Sequence, residues 1–174
     1  MKNFLILLIT VIITSCAPVQ VNYDYDTSTD FNNYKTYNYY KEMTTGLNDL
    51  DTKRLIDAIN GELQLKGFLL SDNPDFLINI QSNEFQEAQR SNVGVGLGGG
   101  GGNIGGGVSI GIPVGQNQMN RQILIEFVDE NKTGLFWEAK SESSFNPNAS
   151  PEKREVQFQK IVTKIFAQYP PSKK

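Results

Sequence analysis

The chain holds one thiol, and its setting defines the chemistry open to it. Cys16 follows Ile13, Thr14 and Ser15, and ahead of these stand Lys2 and an apolar run from Phe4 to Ile13 broken only by Thr10. An aliphatic residue, two small ones and a cysteine form the pattern cut by the lipoprotein signal peptidase of bacteria. A secretory leader has a positive start, an apolar stretch of roughly 7–15 residues and small residues at the cut. Residues 1–15 meet each condition. The apolar run is shorter than the about 20 residues needed to cross a bilayer. The expected chemistry is alkylation of the Cys16 thiol with diacylglycerol, and cleavage before it frees an amine as a second acylation point. One acyl chain holds a protein marginally, at about 0.8 kcal/mol per buried methylene, whereas two hold it stably. Cys16 is thus read as a lipid anchor and not a redox or catalytic thiol, with Ile13, Thr14 and Ser15 as the peptidase recognition residues.

What the chain lacks narrows the rest. It contains no histidine, so the commonest general base near neutral pH and the commonest metal ligand are missing. Serine–histidine and cysteine–histidine nucleophiles are excluded, as are zinc sites of the usual nitrogen and sulfur kind. With Cys16 consumed, no internal disulfide forms. Sixteen basic against nineteen acidic side chains give a formal charge of −3, which offers no basic footprint for nucleic acid. Carboxylates alone can run glycoside hydrolysis, so a carboxylate-dependent hydrolase acting on envelope glycans stands as the alternative to a non-enzymatic binding or structural role.

Other constellations have plainer readings. Gly94, Gly96 and Gly99 satisfy G-x-G-x-x-G, but no helix opens after them and no acidic residue follows before Glu126, so the dinucleotide context is absent. Asp24, Asp26, Asp30, Asp49 and Asp51 could offer oxygen to calcium, yet their spacing lacks the glycine and terminal glutamate of a calcium loop. Six of the seven tyrosines fall between Tyr23 and Tyr40; they are read as packing a sheet face, with a sugar-stacking platform as the lesser possibility. No cofactor and no metal are expected.

The elements that would position these residues follow from periodicity. Alternation over 19–26 marks a half-buried strand, and residues 34–40 mark a second, aromatic one. Leu55, Ile56, Ile59 and Leu63 recur at helical spacing within 49–66, with Asp49 or Asp51 as cap and Gly67 as the left-handed stop. Strands are expected at 76–81, running on towards Phe85, and at 122–128 and 135–143, the last two joined by the turn D-E-N-K-T-G. Ser150 and Pro151 open a second helix, whose stripe Phe158, Ile161, Val162, Ile165, Phe166 and Tyr169 should lie on the sheet. Residues 92–117 are different in kind, because twelve of the sixteen glycines fall between Gly94 and Gly115. They read as a loop or loose hairpin inserted in the domain, either a tolerated flexible insertion or an uncharged apolar ribbon that docks on a partner or the lipid surface. The expected class is α+β: a mixed, largely antiparallel sheet with two helices packed on one face. The expected layout is a leader at 1–15, a lipidated tether at 16–18, one domain at 19–171 and a tail at 172–174.

Several segments resemble bacterial lipoproteins grouped as domain of unknown function 4136. They are V-N-Y-D-Y-D-T-S-T-D-F-N-N-Y-K-T-Y at 21–37, R-L-I-D-A-I-N-G-E-L-Q-L-K-G-F ending at Phe68, P-D-F-L-I at 74–78, I-L-I-E-F-V-D-E-N-K-T-G-L-F-W-E-A at 123–139, and I-F-A-Q-Y-P-P at 165–171. The resemblance implies an outer-membrane-type lipoprotein with a compact α/β domain and transfers no catalytic residue. Ala17 stands where an aspartate would favour inner-membrane retention, which by similarity points to the outer membrane. An acidic export signal after the cysteine is absent, so the expected face is periplasmic. The expected partners are the membrane, through the lipid, and an envelope protein or glycan.

Overall fold

The computed structural model describes residues 18–86, 119–132 and 134–171. Six strands, β1 (Gln20–Tyr25), β2 (Thr36–Tyr39), β3 (Leu69–Leu70), β4 (Phe76–Gln86), β5 (Met119–Asp129) and β6 (Gly134–Ser144), form one sheet in the order β1-β6-β5-β4-β2-β3. The pairs β1–β6, β6–β5 and β5–β4 are antiparallel, while β4–β2 and β2–β3 are parallel. Two helices, α1 (Asp49–Leu65) and α2 (Pro151–Phe166), cover one face. The class is α+β with a mixed, mostly antiparallel sheet, as the periodicity predicts. Among the described residues no helix is long and apolar enough to cross a membrane.

Alternation builds the buried face directly. Phe76, Ile78 and Ile80 of β4, Ile123, Ile125 and Phe127 of β5, and Trp137 and Ala139 of β6 point inward and are buried. Cross-strand pairs such as Ile80 with Ile125 and Phe127 with Trp137 place these side chains beside one another, which is the unit of sheet stabilisation. The predicted stripe of α2 lies on them, with every member from Phe158 to Tyr169 buried. A bulge between Phe127 and Val128 leaves Phe136 as an extra residue in β6. The bulge turns its ring inward beside Trp137, where it stacks on Tyr34 at 4.3 Å.

Local details depart from the sequence reading. The side chain that caps α1 is that of Asn48, whose Oδ1 accepts from the Asp51 N–H at 2.9 Å; neither Asp49 nor Asp51 is the cap. Asn48 is as good an N-cap as aspartate, and it frees Asp51 for another task. Gly67, at φ +86°, ends α1 as predicted. Ser150 occupies the N-cap position of α2 without a capping hydrogen bond. The aromatic strand is shorter than 34–40, because Phe31–Asn33 form a 3-10 turn that sends Tyr34 into the core. The two-residue strand β3, absent from the sequence reading, pairs with Thr36 and Tyr37.

Candidate functional site

Charge is concentrated where β4 ends, β5 begins and both helices start. Arg121 occupies an inward position of β5, in phase with Ile123, Ile125 and Phe127, opposite Glu84 of β4 and Ser143 of β6. Its Nη2 donates to Glu84 Oε1 at 2.7 Å, and its Nη1 lies 3.6 Å from Asp51 Oδ2. Asp51, on the inner face of α1, is completely buried. Its two oxygens also receive Arg54 Nη1 at 2.9 Å and Arg154 Nη1 at 2.7 Å. Arg154, from the first turn of α2, also donates from Nε to the Ala149 carbonyl and from Nη2 to the Pro147 carbonyl, tying the loop after β6 to the helix. A buried carboxylate is tolerable only when paired and fully hydrogen-bonded, and this network supplies both conditions.

An open cleft of about 780 Å³ lies against this network. Its walls are Phe145 and the 146–149 loop on one side and Lys153, Phe158 and Ile161 of α2 on the other, with Arg121 and Met119 between them. The Arg121 guanidinium sits 3.7 Å over the Phe145 ring, a cation–π contact. Its side chain is 8% exposed, and its Nε has no hydrogen-bond partner. Among the described residues no acidic side chain lines the cleft. Arginines locked by carboxylates and carbonyls, beside aromatic walls, form a site that can hold an anion carrying an apolar part. Ser143 and Ser144 reach the cleft, but the chain has no histidine to activate a hydroxyl.

The residues singled out from sequence fall elsewhere. Ile13, Thr14, Ser15 and Cys16 lie outside the described residues, as do the segment 92–117 and its Gly94, Gly96 and Gly99. The tyrosines largely pack the core. Tyr34 and Tyr37 are buried, whereas Tyr23 is 44% exposed. Tyr37 and Tyr39 both donate to Asn60 Oδ1, at 2.9 and 2.8 Å. Tyr34 donates to Asp129 Oδ2 at 3.0 Å, and burial together with that carboxylate pushes its phenol up to about 12. The aspartates are dispersed. Asp26 holds the turn at Ser28, Asp30 caps the 3-10 turn, and Asp51 belongs to the arginine network. Among the described residues no three acidic side chains converge as a metal site. Glu126 and Glu138 are cross-strand neighbours on the outer face of the sheet, away from the cleft, and Glu126 accepts from Asn79 Nδ2 at 2.7 Å.

Arg121, Arg154, Glu84 and the pairing role of Asp51 were not foreseen. Residues 21–171 match the family model described as a domain of unknown function, DUF4136. No curated protein matches the chain. Among solved structures it is similar to a PDZ domain protein from Parabacteroides distasonis, with 18% identity and a TM-score of 0.55, covering 91% of this chain and 36% of that one. The chain therefore spans about a third of that protein's length, and the likeness is one of fold alone. It is also aligned with a PelC dodecamer from Paraburkholderia phytofirmans, with 7% identity and a TM-score of 0.44, over 86% of this chain and 96% of that one.

Proposed function

The chain belongs to the family of domain of unknown function 4136, and from that premise we propose that it is a lipid-anchored domain of the outer membrane that binds an envelope component without transforming it. The observation that carries the binding half is the cleft itself. Its arginines are immobilised by Asp51, Glu84 and loop carbonyls, and among the described residues its lining offers neither a paired acid and base nor an activated nucleophile. Such a lining recognises charge and shape. The anchoring half rests on the spacing of Ile13, Thr14, Ser15 and Cys16 and on the stable holding that two acyl chains give. Cys16→Ala in the native host is the test. It should release the protein from the membrane fraction and remove the mobility change due to lipid; unaltered partitioning overturns the anchor.

The hydrolase alternative has one point in its favour, the cross-strand pair Glu126 and Glu138. The pair lies on the outer face of the sheet, away from the cleft, whereas glycoside hydrolysis holds the sugar in a site between two carboxylates. Release of soluble sugar from purified cell-wall polymer by the wild type, lost in Glu138→Gln, would favour the hydrolase over the binding domain.

A further inference from the structure

The cleft and the point where the chain would leave for the membrane lie at the same end of the sheet. Gln20, the first residue of β1, pairs with Glu142, and the next residues of β6, Ser143 and Ser144, line the cleft. Val19 is buried, and its carbonyl accepts from Lys164 Nζ of α2, so the start of the domain is fixed to the helix that walls the cleft. Val19 is three residues on from Cys16, and extended chain spans at most about 3.6 Å per residue. A lipid on Cys16 therefore keeps this end of the domain within about 11 Å of the bilayer surface.

We infer that the cleft takes the phosphate headgroup of an anionic phospholipid of the anchoring membrane, so that lipid and cleft hold the domain at two points. The proposal rests on the anchoring reading above. The ligand chemistry follows from the lining. Arg121 and Arg154 both reach the cleft, where no acidic side chain among the described residues does, the Arg121 Nε is buried without a partner, and Lys153 is exposed at the rim. Phosphate, like carboxylate, matches the donor geometry of a guanidinium. Phe145, Phe158 and Met119 supply apolar surface for the glycerol and first methylenes beyond it. The chain as a whole carries −3, so an anionic bilayer repels most of its surface and admits a face where cations predominate.

The test uses the lipidated protein reconstituted in vesicles of phosphatidylcholine alone or mixed with phosphatidylglycerol, read by amide hydrogen exchange. Phosphatidylglycerol should slow exchange over 144–150 by at least roughly fivefold, the worth of one basic residue at an anionic surface. Lys153→Glu should lose that protection, and Lys66→Glu, at the far end of α1, should keep it. A glutamate is well tolerated in the first turn of a helix, so Lys153→Glu should remain folded. Equal exchange in both vesicles, or equal protection from inorganic phosphate over phosphatidylcholine, would overturn the headgroup as occupant while leaving the anchor in place. Failure to float with either vesicle would overturn the anchor, and the proposal with it.

Discussion

Asp51 joins the largest number of charged partners in the molecule's described part, and its role was hidden by its position. An aspartate at the start of a helix is ordinarily a cap or a dipole partner. The distinguishing signal is phase. Asp51 shares a helical face with Leu55, Ala58 and Ile59, Arg154 shares one with Phe158, Ile161 and Ile165, and Arg121 alternates in step with Ile123, Ile125 and Phe127. A charged residue in register with an apolar stripe must be buried, and a buried charge needs a partner. Three such residues on three elements were therefore candidates for one another, although the sequence contains nothing that pairs α1 with β5. Asp51→Asn keeps the shape and removes the charge. It should lower unfolding free energy by about 3 kcal/mol, the scale for breaking a buried ion pair, measured in denaturant with an unchanged m-value.

At the scale of elements, period two and period 3.6 with an aromatic run made five of the six strands and both helices legible, because each of those segments is long enough to carry a pattern. β3 has only two residues and no period to read, and β2 is shortened by the turn that carries Tyr34 inward. The 40–47 segment was unreadable for another reason, since its role comes from what it covers. β2 pairs with β4 no farther than Ile78, and beyond that Met43 Sδ accepts from the Ile80 N–H at 3.1 Å. Gly46 lies against the Ser82 carbonyl with φ +73°, and a Cβ there would come within 2.4 Å of that oxygen. Gly46→Ala should cost at least about 2 kcal/mol from the left-handed backbone and the clash together. Gly61, inside α1 with nothing near its missing Cβ, should behave oppositely, with Gly61→Ala raising stability by about 1 kcal/mol. Thermal melts of the two variants check both signs.

At the scale of the molecule, the core is an aromatic assembly with phenols inside it. Burial raises Tyr37, Tyr39 and Tyr169 above the ordinary tyrosine value, and burial with Asp129 raises Tyr34 from 10.0 to about 12. A raised folded-state pKa stabilises fully below the unfolded value and is lost as pH climbs from there through the folded one. Stability should thus be flat up to about pH 10 and fall steeply towards pH 12. Tyr34→Phe should lower neutral-pH stability by about 1 kcal/mol, since the buried Asp129 loses a donor, and should make the alkaline fall shallower. Denaturant titrations across that range decide it. The tyrosine cluster between Tyr23 and Tyr40 announced this core from sequence. The cleft did not, because its walls come from β5, the 145–149 loop and α2, which only the fold assembles.

The first strand completes the sheet by pairing with the last: Gln20 faces Glu142 and Tyr25 faces Trp137. A ribosome makes β1 long before it makes β6. Until the final hairpin emerges, β1 has no neighbour, Val19 has no Lys164 to hold its carbonyl, and Asp51 has neither Arg121 nor Arg154. Long-range pairing of this kind forms late. While the intervening chain is being made, the first strand waits with one whole edge of backbone unmatched, and the sheet closes only when its distant partner arrives.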